Sequence, residues 1–254
     1  MTALLAPQVD LSHVPAAPGA YLMLDGRGRI LYVGRAGDLR ERVRSYWHAS
    51  LDRPGLRGMV RRVRRVATVT TASEHEAAFL ERALLERHDP PFNRTLGFES
   101  IVAIRLAPSS VTAVHEIVAV EGVRYFGPYL GWSPTAGAAS ALARAFPIHL
   151  CRPANAMTTV ERDMARRRGV SAADGPALAR AITAVLERDA SAIGDVVART
   201  EAVRDRASEL ALYERAAEVQ AEIAGLRWVT QPQSIARFDA SGAWRIEESL
   251  LRSA

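Results

Sequence analysis

The sequence predicts an α+β chain with a small N-terminal unit of strands and helices, a mixed segment, and a helical C-terminal region. Three observations predict it. The runs AYLMLD (20–25) and ILYVG (30–34) flank Gly26-Arg27-Gly28, which reads as a hairpin. The stretches DLRERVRSYW and SEHEAAFLERALLERH carry a helical period instead. From about residue 156 onward the pattern is helical, apart from a break near DGP (174–176).

Residues 1–14 read as a loose lead-in running up to the PAAPG stretch. Asp38 is placed to cap the first helix, with Leu39, Val43, Tyr46 and Trp47 on one face. VATVTTA (66–72) reads as a third strand. Ser73 followed by Glu76 forms a capping box, and Asp89-Pro90-Pro91 stops the helix that follows. Beyond it come strand-like IVAIRL and VTAVHEIVAV, a turn at FGPY (126–129), and a helix through SALARAF. The tail after Pro232 is weakly patterned. The expected divisions are 15–98, 99–155, 156–232 and 233–254.

With 254 residues, 48% hydrophobic and 24% charged, the composition is that of a globular protein with room for real cores. No run approaches the roughly 18–20 apolar residues of a membrane helix. The first residues lack a basic n-region and a long apolar run, so a cytoplasmic location is expected. One cysteine, Cys151, excludes an internal disulfide and any cysteine-based zinc site. All 33 basic residues are arginine. Between Arg27 and Arg65, 12 arginines face only Asp38, Glu41 and Asp52, a local balance of +9. Such a segment meets a large anion, nucleic acid being the commonest, or is a solvated surface shaped by codon usage. Arg35, Arg40, Arg44, Arg61 and Arg62 are the candidate phosphate contacts.

On a helical wheel for 73–88, Ala77, Leu80, Leu84 and Leu85 define an apolar face with Glu81 in its middle. A carboxylate so placed requires an arginine or a metal ion as partner. His88, on the same face, is expected to be a satisfied core histidine. Arg42 and Tyr46 are neighbours four residues apart. Tyr21 and Tyr32 on paired strands are either ordinary strand residues or, with Arg42 and Glu81, the lining of a phosphate and metal site.

GAY (19–21) and YVG (32–34) resemble the paired signature of the GIY-YIG nuclease superfamily. PGAYLML–LYVGRAGDLRERVRSYW and EHEAAFLERALLERHDPPFN resemble the nuclease domain of the UvrC family. YFGPY (125–129) and AFPIHLC (145–151) are similar to the segment that follows there, and LYERAAEVQAEIAGL (212–226) to its UVR hairpin. The resemblance implies a three-stranded antiparallel sheet flanked by helices. It implies a metal-dependent endonuclease making a single incision in damaged or branched DNA, in nucleotide excision repair, as in the shorter Cho-type homologues. The implied roles are Glu81 as ligand of Mg2+ or Mn2+, Tyr32 as general base, and Arg42 as stabiliser of phosphoryl charge. Tyr21 and Tyr46 would hydrogen-bond around the phosphate or water, and Asn93 would fix the geometry. UvrB would dock on the 212–226 hairpin. Arg35 stands where the family usually has lysine, Gln220-Ala221 replaces the usual Arg-Asp of the hairpin, and no iron–sulfur cluster is expected from a lone Cys151. A catalytically weak DNA-binding or UvrB-binding adaptor is the alternative reading.

Overall fold

The computed structural model describes residues 9–47, 54–93 and 99–253. The chain divides into two compact units: 1–98 with 232–237 and 245–254, and 99–231 with 238–244.

The first unit holds β1 (Gly19–Leu24), β2 (Ile30–Ala36), α1 (Leu39–Ser45), α2 (Pro54–Val60), β3 (Arg65–Thr70) and α3 (Glu74–His88). Its three strands are antiparallel in the order β2-β1-β3. Asp25 makes the hairpin turn by accepting from the backbone N–H groups of Arg27 and Arg29 at 2.9 and 3.0 Å. Gly28 completes it at φ +78°, a conformation that costs glycine little. As the central strand, β1 is buried along its whole length, which explains the nearly unbroken GAYLML.

Capping sets both helices. Asp38 accepts from Glu41 N, and Ser73 accepts from Glu76 N at 3.0 Å. At the other end of α3, Asp89 adopts the left-handed conformation at φ 41° and donates its N–H to the Leu85 carbonyl. The helix buries Ala77, Phe79, Leu80 and Leu84. Each fully buried leucine or phenylalanine stabilises by about 1.5–3 kcal/mol. Met23, Leu31, Leu39, Val43, Met59, Val63 and Val66 extend this unit's core.

Several expectations are corrected here. Residues 9–14 are no loose lead-in: Val14 is fully buried and His13 Nε2 lies 3.0 Å from the Val66 carbonyl. Helix α2 was not foreseen, because PGLRGMV has two glycines and little periodicity. His88 is exposed rather than in the core, and Leu85 is only half-buried.

The second unit contains β4 (Ile101–Ala107), β5 (Ser110–Val114) and β6 (Arg124–Leu130), antiparallel in the order β5-β4-β6. The helices α4 (Trp132–Ala145), α5 (Thr159–Arg168), α6 (Gly175–Leu186), α7 (Ala190–Glu209) and α8 (Tyr213–Val229) follow. FGPY is not a turn. It runs through β6, where the pairing with β4 shifts between Val102 and Ile104. The segment VTAVHEIVAV is a strand only as far as Val114. Ile104, Tyr129, Leu142, Ile182, Val196 and Leu226 share one core, so segments 99–155 and 156–232 fold together. An ion pair joins Arg144 of α4 to the buried Glu222 of α8.

The tail forms a short ladder of β7 (Ala236–Phe238) and β8 (Trp244–Ile246), then α9 (Glu248–Ser253). Among the described residues no helix is long and apolar enough to cross a membrane.

Candidate active site

Three tyrosines meet above the β1–β2 pair. Strand β1 supplies Tyr21, β2 supplies Tyr32, and the end of α1 supplies Tyr46. The Tyr21 and Tyr46 hydroxyls are hydrogen-bonded at 2.7 Å. The three ring centroids are 6.0–6.2 Å apart, with Tyr46 edge-on to both others. Arg42, one turn before Tyr46, places its guanidinium 5.2 Å from the centroid of that ring.

The glycines of the two triplets make this arrangement possible. Tyr21 lies opposite Gly34 in the ladder. A methyl group on Gly34 would sit 2.5 Å from Tyr21 Cζ and nearer still to its hydroxyl oxygen. One on Gly19 would press into the Val69 carbonyl and come within 2.9 Å of Leu39 Cδ1. The GxY…YxG spacing thus states which strand pair carries the tyrosines and where the backbone must leave room for a ring.

Asn93, past the end of α3, staples β2 from outside. Its Oδ1 accepts from Val33 N at 2.9 Å and its Nδ2 donates to the Val33 carbonyl at 2.8 Å. Phe92 N donates to Leu31 O at 3.1 Å, so the chain after α3 runs along this edge strand and fixes the register around Tyr32.

Glu81 is not sunk in the apolar face of α3. Its side chain is 23% exposed, and Arg35 Nε lies 3.5 Å from its Oε2. A helical wheel places Glu81 amid leucines, while the packing leaves it partly exposed beside Arg35. The deeply buried carboxylate is Glu76, 3% exposed. It accepts from Ala72 N at 2.8 Å and from both the N–H and hydroxyl of Ser234, at 2.7 and 2.9 Å, tying the tail to the start of α3. Sequence reading gave Glu76 only a capping role, and its bond to a residue so distant in the chain had no local signal.

The electrostatics follow from this packing. Burial first, then the Tyr46 phenol, and then the charge of Glu81, push the Tyr32 pKa far above that of a free tyrosine, with Arg42 opposing them. Burial and the other two tyrosines do the same to Tyr21. Burial works against the charge on Arg42, but the surrounding tyrosines outweigh it and hold its pKa above the ordinary value.

The remaining arginines are spread more widely. Arg44 and Arg61 are exposed. Arg40 is partly committed to structure, its Nε donating to the Val14 carbonyl at 2.9 Å. Arg62 lies 5.5 Å over the Phe92 ring.

Among the described residues no group of three or more His, Cys, Asp or Glu side chains could enclose a metal ion. A single half-exposed carboxylate nevertheless fits magnesium. That ion keeps several waters and is bound through one or two carboxylates together with substrate phosphate.

Residues 17–94 match the family model of the UvrC-like GIY-YIG domain. Within the first unit, residues 17–94 thus have the pattern of a UvrC-like GIY-YIG domain. UvrABC system protein C of Gemmatimonas aurantiaca is 38% identical over 146 residues, 56% of this chain and 24% of that protein. That of Trichlorobacter lovleyi is 38% identical over 144 residues, 55% of this chain and 24% of that protein. The chain thus spans about a quarter of the length of these curated relatives. Among solved structures, the magnesium-bound GIY-YIG N-terminal endonuclease domain of UvrC from Thermotoga maritima is 26% identical, with a TM-score of 0.30. The match covers 33% of this chain and 91% of that one.

Proposed function

We propose that the first unit hydrolyses a phosphodiester bond of DNA, making a single incision in damaged or branched DNA during nucleotide excision repair. The observation that carries this reading is the convergence of Tyr21, Tyr32, Tyr46 and Arg42 with Glu81 inside a UvrC-like GIY-YIG domain.

The residues divide the work as follows. Tyr32 takes the proton of the attacking water. The network of Tyr21 and Tyr46 holds its ring in place and orients the phosphate or the water. Arg42 places a permanent charge where negative charge grows on the phosphoryl oxygens, and a guanidinium matches that geometry. Glu81 holds Mg2+ or Mn2+. When bound, such a cation supplies Lewis-acid polarisation of the phosphate and favours the anionic form of a nearby phenol. Asn93 touches no reacting atom and acts by fixing the β2 backbone beside Tyr32. Exposed Arg44 and Arg61, with Arg35, Arg40 and Arg62, contact the DNA backbone.

The partner belonging to this reading is UvrB, on the hairpin that includes 212–226. Val219, Ile223 and Leu226 of that segment are fully buried within the second unit. Leu210, Leu212 and Tyr213 remain more than half exposed where α7 turns into α8, so docking uses the tip rather than the whole segment.

The test is incubation with a lesion-bearing duplex, with and without UvrB, in Mg2+, Mn2+ or EDTA. Metal-dependent cutting of one strand near the lesion is expected. Binding without cutting under every metal, even with UvrB, would leave the adaptor as the description.

A further inference from the structure

The second unit contains an open cavity of about 360 Å3 beside α5, within the range of small-ligand sites. Leu150 and Ala165, both buried, form its floor together with half-buried Met157 and Val170. Exposed Arg162 and Arg166 and half-buried Arg152 form its rim.

Local bonds fix the walls. Thr158 and Glu161 make a capping box at the start of α5, and Glu161 also pairs with Arg152, which holds that guanidinium at the mouth. At the other end of α5, Gly169 takes the left-handed conformation at φ 63° and Val170 N donates to the Ala165 carbonyl at 3.0 Å. The chain turns back there, so that Val170, Ser171 and Ala172 line the same cavity.

The rim carries positive charge. From Leu150 to Asp174, five arginines stand against Glu161, Asp163 and Asp174. Asp163 is shared between Arg166 and Arg167, at 3.3 and 2.7 Å. The guanidinium of Arg162 donates to Thr159 Oγ1 at 3.2 Å and meets no carboxylate among the described residues. Arg162 and Arg166 are one helical turn apart and therefore neighbours.

An apolar floor below a cationic rim fits a ligand with a flat, weakly polar body and an anionic edge. An unstacked nucleotide has that form: its base has lost its neighbours, and its phosphates accept bidentate bonds from guanidinium. A base stacked inside a duplex cannot enter, and leaving the stack costs least where the DNA is damaged, mismatched or already single-stranded.

We propose that this cavity receives an unstacked nucleotide of the DNA substrate, with Arg162 and Arg166 on its phosphates and Leu150, Met157 and Val170 against its base. The inference rests on DNA being the substrate, as in the proposed function. It gives the second unit a part in choosing distorted over intact duplex.

The experiment is fluorescence anisotropy of the full chain with two end-labelled duplexes of equal length, in EDTA so that no cutting intervenes. One duplex is fully paired and the other carries a single bulged adenine. The parent is compared with Ala172→Phe, which fills the cavity, and Arg162→Met, which removes the rim charge. Both positions are exposed, and each variant is first shown by circular dichroism to be folded. The parent is expected to bind the bulged duplex about tenfold more tightly, as burying about 50 Å2 of apolar base surface gives. Both variants are expected to lose most of that preference. Equal affinity of the parent for the two duplexes, or a preference that survives either substitution, overturns the inference and leaves the nuclease reading standing. No binding of either duplex removes DNA as the substrate, and the inference with it. Bulge preference in a chain that cuts nothing in Mg2+ keeps the cavity assignment and overturns the nuclease reading alone.

Discussion

The glycine of the YVG triplet, Gly34, offers the sharpest mutational test of how the site is built. In Gly34→Ala the new methyl group meets Tyr21, whose Cζ lies 2.5 Å from the ideal Cβ position. That ring is 1% exposed, so it has no solvent to move into. Its hydroxyl is also fixed to Tyr46 at 2.7 Å. Either β2 separates from β1, or the Tyr21 ring tilts and releases Tyr46. Overpacking of a well-packed core costs about 1–3 kcal/mol. Losing the buried hydroxyl pair adds about 1 kcal/mol. Together about 2–4 kcal/mol corresponds to a fall of roughly 10–20 °C in the melting temperature of a unit of this size. Scanning calorimetry of the full chain reads it, with Tyr21→Phe as a control that keeps the ring and removes only the hydroxyl. A Gly34→Ala protein melting within about 3 °C of the parent would refute the packing argument, since the ring would then have room to spare.

Other consequences are as direct. Asn93→Ala leaves both polar groups of Val33 without their side-chain partner and should destabilise the first unit by about 1–3 kcal/mol, seen as a lower melting temperature. Arg144→Ala strips the partner from Glu222 in the second unit. The expected loss is about 2–4 kcal/mol by urea unfolding, below the range for fully buried pairs because Arg144 is 23% exposed. Tyr21 and Tyr32 have folded-state pKa values raised above the unfolded one, so their neutral forms stabilise the fold fully below the ordinary tyrosine value of about 10. That stability is lost as the pH rises beyond it. The alkaline fall in melting temperature should therefore be shallower in Tyr21→Phe. Arg44→Ala and Arg61→Ala should each weaken binding to unrelated duplexes about equally and lower the slope of log K against log salt by about 0.9.

The strands of the first unit were legible because their signals are local. Period-2 runs, a glycine turn and two side-chain caps each act within a few residues, and all of them agree with the antiparallel sheet that forms. The tyrosine cluster was legible only through the spacing of GAY and YVG. Nothing in a single strand says that Tyr21 will face Gly34, which is a matter of register. Tertiary placement was not legible. Glu81 lies amid leucines on a wheel, yet in the fold it is partly exposed beside Arg35. Glu76 looked like an ordinary capping residue and is the carboxylate buried deepest in that helix, satisfied by Ser234 from the far end of the chain. FGPY carries turn residues, and tertiary pairing with β4 absorbs it into a strand. The spacing of Leu212, Ala216, Val219, Ile223 and Leu226 fits a binding face and a core equally well by periodicity. Only packing shows that Val219, Ile223 and Leu226 face inward while Leu212 does not.

The central claim, that this tyrosine, arginine and glutamate constellation cuts DNA with a divalent cation, is tested most directly by nicking of supercoiled plasmid. The parent, Tyr32→Phe and Glu81→Gln are incubated with Mg2+ or with EDTA, and the open-circular product is followed in time. The account predicts nicking by the parent in Mg2+, none in EDTA, and a loss of about a hundredfold or more in either variant, as befits removal of a general base or of the metal's ligand. Nicking that persists in EDTA, or at the parent rate in both variants, would contradict it.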